Sequence, residues 1–194
     1  VIDCEMKKNA ILFCLLFYFA CLPNINIEPD ANYIVPAEMN YRNYFKSNYS
    51  SLDPLEGIWI EYVVGTLYDN GKVIERKEIP KRARWIVIKS GSNYKIFNEY
   101  GEQNKYKASF KKNKIKDSYT FDCLFIKTKD HIKVEAKFID EKIIEMAYNA
   151  PEGIFAESYK EFMLTDLLKN EQKELELFWQ FSWIKTFPLN SLEN

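Results

Sequence analysis

The 194-residue chain is short of the residues that carry most chemistry. It holds a single histidine, and nothing around that histidine builds a catalytic group. His131 falls at a predicted turn-to-strand junction, with no serine or cysteine pattern implicating it, so it reads as a surface residue. Only six glycines occur, which excludes a Gly-rich phosphate cradle. No GxSxG, HExxH, P-loop or dinucleotide fingerprint is present. No CxxC and no metal-ligand spacing is present either. Lys and Arg number 27 against 28 Asp and Glu, and a formal net charge of -1 leaves no overall basic footprint for nucleic acid. There is no internal repeat of fixed period. The apolar run Ala10–Ala20 has eleven residues, too few for a bilayer-spanning helix of roughly 20. Neither a cofactor, a metal nor an enzymatic activity is expected from this inventory.

Hydrophobic residues make up 47% of the chain and aromatics 16%, so it is core-forming rather than disordered. Met6-Lys7-Lys8-Asn9 is a short basic opening onto the apolar run, with Val1–Glu5 upstream of this natural-looking start. A basic n-region followed by a short h-region is the pattern of a secretory signal. Residues 1–21 are therefore expected to direct export. Ala20-Cys21 at the end of the run resembles a bacterial lipoprotein lipobox. That resemblance implies lipidation at Cys21, membrane attachment through the lipid, and a periplasmic or outer-membrane-anchored location in a bacterium. Residues 22–54, with prolines at 23, 29 and 36, read as an extended linker. Within it, Tyr41, Tyr44, Phe45 and Tyr49 either cap one end of the following domain or lie scattered in a tail.

Leu55-Glu56-Gly57-Ile58-Trp59 opens a long series of alternating segments that runs to residue 165. Ile58, Ile60, Tyr62 and Val64 share one strand face, and Trp59, Val63 and Leu67 the other. Asp69-Asn70-Gly71 suits a type I′ hairpin, which needs positive φ at both central residues. The return strand from Lys72 is expected to end at Pro80, and Arg84–Lys89 to form a separate strand. Further strands are predicted at 94–97, 105–111, 119–126, 131–140, 144–148 and 158–164. Period-2 alternation over so many short segments indicates an all-β antiparallel meander. About eight to ten strands joined by tight turns solve the open-edge problem by curling into a barrel. Cys123, between Phe121 and Phe125, reads as a small buried apolar residue.

Gly57-Ile58-Trp59 at the start of the first strand, the meander and a helix after the last strand resemble the lipocalin-like (calycin) superfamily. The resemblance implies a barrel floored by Trp59 as a plug; the family's late arginine over that ring has no clear counterpart in this chain, whose predicted last strand offers Lys160. It also implies a small apolar or amphipathic ligand inside. The expected lining residues are Trp85, Tyr106, Phe121 and Phe138.

Thr165 or Asp166 caps a predicted helix over 166–187, packed outside the barrel with Leu168, Leu175, Phe178 and Trp179 near one face. Glu135 and Glu145 fall on adjacent strands at a spacing that invites comparison with paired glycosidase carboxylates. The lysines alternating around them point to a solvated ladder instead. Lys105, Lys107, Lys111, Lys112, Lys114 and Lys116 concentrate charge around one hairpin and read as an edge protected from pairing, not as a nucleic-acid site. The leading reading is a ligand-binding barrel and the second a ligand-free module of the cell envelope that contacts an unspecified protein; a third, an enzyme using carboxylates in the barrel mouth, needs at least two inward acidic groups.

Overall fold

In the computed structural model, residues 34–151 and 175–189 are described. Helix α1 (Pro36–Ser47) and a 3-10 turn (Tyr49–Ser51) precede eight strands. These are β1 (Gly57–Asp69), β2 (Lys72–Ser90), β3 (Asn93–Asn98), β4 (Tyr106–Lys112), β5 (Ser118–Phe125), β6 (His131–Asp140), β7 (Ile143–Asn149) and β8 (Leu175–Phe187). Each pairs antiparallel with the next, and β8 returns to β1, so the sheet is a closed barrel. Asn70 and Gly71 take φ of 50° and 72°, the type I′ geometry that the Asp-Asn-Gly turn predicts.

Two expectations are corrected. The segment predicted to form the end of a C-terminal helix is strand β8 over Leu175–Phe187. Its odd residues Leu177, Trp179, Phe181 and Trp183 are all buried in the core, a period of two rather than 3.6. Residues 166–174 of that prediction, and the predicted strand at 158–164, lie outside the described residues.

Pro80 does not end a strand either, because β2 runs through it. The register passes from Glu61–Ala83 to Val63–Ile79, so Pro80, Lys81 and Arg82 together oppose Tyr62. Lys81 has φ 52° in this bulge. On the other side β3 pairs only with Trp85–Ser90, so the N–H that proline lacks is not needed there.

The main core fills the barrel from Leu55 and Trp59 at one end to Leu67 and Leu177 towards the other. A second cluster sits outside the wall, where Phe45 of α1 is fully buried against Ile58 and Ile86. Burying such a ring stabilises the docked helix by roughly 1.5–3 kcal/mol. Glu38, 1% exposed, adds a polar pin: it pairs with Arg42 on its own helix and Arg84 on β2, both at 2.8 Å. The second half of the predicted linker is thus a helix fastened to the barrel.

Candidate functional site

The floor is built first. Gly57 has φ +147°, and a Cβ there would stand 2.4 Å from the Phe187 carbonyl oxygen, so only glycine lets β1 start this close to β8. Glu56, buried, holds the approach to it by accepting the backbone N–H groups of Asp53 and Lys89, each at 3.0 Å. Two residues on, Trp59 is fully buried and donates its indole N–H to the Leu55 carbonyl at 3.0 Å.

Lys185 of β8 is the cross-strand partner of Trp59, and its ammonium lies 5.3 Å from the ring centroid. The basic residue over the tryptophan is therefore Lys185; Lys160 lies outside the described residues. Burial pulls the Lys185 pKa down to about 8, with Asp53 and Glu56 partly offsetting it.

Above the floor the wall borders a partly open cavity of about 240 Å³. This is below the usual range for ligand pockets, which begins at roughly 300 Å³. Trp85, Tyr106 and Phe121, expected as lining residues, all border it. Phe138 points inward as alternation requires but does not border this space. It packs on Trp59 with ring centroids 6.0 Å apart and on Tyr119 at 5.7 Å, and so belongs to the floor. Trp179, Phe181 and Trp183 of β8 complete the aromatic wall, and the helical reading of that segment concealed them.

Among the described residues, one acidic side chain borders the cavity. Glu61 is 5% exposed and lies on the inward face of β1, between Trp59 and Val63. Register sets Trp183 directly opposite it on β8 and Trp85 diagonally across on β2. Both indoles donate to Glu61 Oε2, at 2.9 Å from Trp85 and 3.0 Å from Trp183. Their rings stack at 5.6 Å and 17°. These charge-assisted bonds hold the carboxylate in place.

The β2 bulge re-aims Arg82 to the cavity wall. Its Nη1 stands 3.8 Å from Glu61 Oε1, and its guanidinium lies 4.8 Å and 5.9 Å from the Trp179 and Phe181 centroids. Glu61 was open to detection, since period-2 counting from Trp59 sends it inward. Arg82 was hidden by the expected stop at Pro80.

The remaining candidates are elsewhere. Cys123 is buried on the cavity wall, and burial pushes its thiol up to about 12, which disables it as a nucleophile. Burial likewise pushes the Tyr148 phenol up, so that group offers a neutral hydroxyl. His131 is exposed and bonds Asp122 at 2.9 Å.

Glu135 points away from the core, accepting from Ser118 at 2.7 Å and pairing with Lys137 at 3.1 Å. Ser118 first, then Lys137, holds its carboxyl below the usual range. Glu145 sits opposite Lys137 and accepts from Ser182 at 3.3 Å. Neither borders the cavity, where among the described residues Glu61 is the one carboxylate. Among the described residues no cluster of His, Cys, Asp or Glu could hold a metal ion, and no helix is long and apolar enough to cross a membrane. Cys21 lies outside the described residues.

Compared with family models, curated proteins and solved structures, the chain matches none. The closed eight-strand barrel is compatible with a calycin-like fold on architecture alone.

Proposed function

We propose that the protein is an exported, lipid-anchored bacterial barrel of lipocalin-like type that binds a small apolar or amphipathic molecule in its central cavity. The observation that carries this reading is the cavity itself, an aromatic chamber of about 240 Å³ inside a closed wall with one buried carboxylate at its side. Apolar walls with few polar groups are how small-molecule sites gain both affinity and orientation. The Gly57-x-Trp59 floor with Lys185 over the ring supports the lipocalin-like kinship. The basic-apolar opening ending at Cys21 supports export and anchoring.

Native mass spectrometry of the full chain should show a co-purified small molecule. An Ala108→Phe variant, which places a ring at a cavity-lining position, should lose it while keeping the strand spectrum of the wild type. A bare mass in gentle conditions, together with no uptake of added apolar probes, refutes the binding reading. Incorporation of a palmitate analogue that disappears in Cys21→Ser tests the anchor, and membrane retention of that variant refutes it.

One feature favours the alternative of a ligand-free envelope module. Among the described residues, β2 from Lys72 to Ala83 pairs only with β1, and it exposes Val73 and Ile74. In-cell crosslinking from position 73 that recovers one specific protein, combined with failure of the ligand experiments, selects that reading.

A further inference from the structure

We infer that the polar end of the ligand is a cationic nitrogen, a substituted ammonium seated beside Glu61 against aromatic faces, and that Arg82 occupies this place when the ligand is absent. This deepens the cavity-binding reading and rests on it.

Among the described residues the wall carries two charged side chains, Glu61 at its inner side and Arg82 at its outer side. At its inner side the charge is a carboxylate only 5% exposed, fixed by two indole N–H groups. Beside it Trp179 and Phe181 turn ring faces to the Arg82 guanidinium, and the negative quadrupole of such faces attracts cations. An anionic headgroup would bring a like charge towards a carboxylate that water hardly reaches. A neutral headgroup could donate a hydrogen bond to it but would bring no charge to complement it. The Trp85 and Trp183 indole donors, which would otherwise suit an acceptor on the ligand, are already directed at Glu61 Oε2.

The chain itself shows that the position accepts a cation. Arg82 reaches it from outside, 27% exposed, over Trp179 and Phe181 and within 3.8 Å of Glu61. It comes from the bulge that begins at Pro80, where the β1 and β3 registers both skip residue 82. The backbone of Arg82 therefore takes no part in the register with β1 or β3. An incoming ammonium can replace one cation–π and ion-pair arrangement with another, and can carry its hydrocarbon part into the space towards Phe121 and Met146.

Isothermal titration of the full chain with octylamine, octanol and octanoate, at neutral pH and low salt, separates the possibilities. Octylamine should bind about tenfold tighter than either of the others. In Glu61→Gln, whose amide oxygen still accepts both indole N–H groups, octylamine should fall to the affinity of octanol while octanol stays unchanged. In Arg82→Gln, octylamine should tighten several-fold because the internal competitor is gone.

Equal affinity for all three probes in the wild type, or tightest binding of octanoate, overturns the inference and leaves the apolar cavity standing. So does an amine preference that survives in Glu61→Gln. If Glu61→Gln fails to fold by circular dichroism, Arg82→Gln decides, and unchanged or weaker octylamine binding in it overturns the inference. If none of the three binds the wild type, the cavity reading falls and this one with it.

Discussion

Replacing Gly57 by alanine is expected to cost about 3 kcal/mol of stability, as the sum of two separable effects. The first is backbone strain. Gly57 holds φ +147°, which an L side chain seldom adopts, at roughly 1–3 kcal/mol. The second is collision. The added Cβ would lie 2.4 Å from the Phe187 oxygen and 2.8 Å from Lys185 Cε. The lysine tip can move, but the Phe187 carbonyl belongs to the last residue of β8, where that strand meets Ile58. Displacing it weakens the barrel seam by about one hydrogen bond, near 1 kcal/mol.

Gly71→Ala is the control. Its φ is +72° but no atom lies within 4 Å of the added Cβ, so it should lose only the strain, about 1 kcal/mol. Urea unfolding followed by circular dichroism, with linear extrapolation, reads both variants. For a chain of this size, 3 kcal/mol corresponds to a Tm lower by roughly 6–12 °C. Should the two variants lose the same stability to within about 0.5 kcal/mol, steric closure at the start of β1 is not what requires glycine.

Other consequences are open to measurement. Glu38→Ala leaves Arg42 and Arg84 without their shared carboxylate and should cost about 2–3 kcal/mol, with faster proteolysis within residues 36–47; unchanged cleavage there would mean that Phe45 alone holds the helix. The Lys185 pKa is lowered on folding from 10.5 to about 8, so the unfolded chain binds more protons between those values. Wild-type stability should therefore rise from pH 8 to 10.5 relative to Lys185→Met, by an amount of order 1 kcal/mol after solvent screening. A flat difference over that window would contradict the assigned burial. Cys123, with its thiol pushed up to about 12, should resist a disulfide reagent at pH 8 until urea unfolds the chain, as read by peptide mass spectrometry. A native labelling rate equal to the unfolded one would show the cavity wall to be open at that point.

The barrel was legible because alternation is a direct geometric record of which side chains face inward. Alternation grouped Tyr106 with Ala108 and Phe110, and Phe121 with Tyr119, Cys123 and Phe125, and both groups lie in the core. Phe138 shows where the record stops. Period two gives the face but not the height along the barrel axis, and Phe138 lies at the floor with Trp59.

β8 defeated the pattern for a different reason. Phe178 and Ile184 make its outer face apolar in places, so buried odd positions do not stand out against wet even ones. Leu175 and Trp179 also sit four apart, a spacing that suits a helix equally well. Pro80 misled because proline ends a strand only where its missing N–H is needed, and on a half-paired bulge it is not. Glu61 is a charge on an inward position, which residue-type statistics would send to solvent. Its two tryptophan partners, brought from β2 and β8, and Arg82 from the β2 bulge are among the groups that hold it there.

That carboxylate has an optical consequence. Two of the four tryptophans in the chain share one negative oxygen at the pyrrole edges of their rings, and a third, Trp179, lies under Arg82. Indole emission shifts colour with the local electric field, so neutralising Glu61 or exchanging the guanidinium should alter the emitted light without any added dye. The protein would then report occupancy of its own interior by intrinsic fluorescence, with Trp59 at the floor as the steady reference.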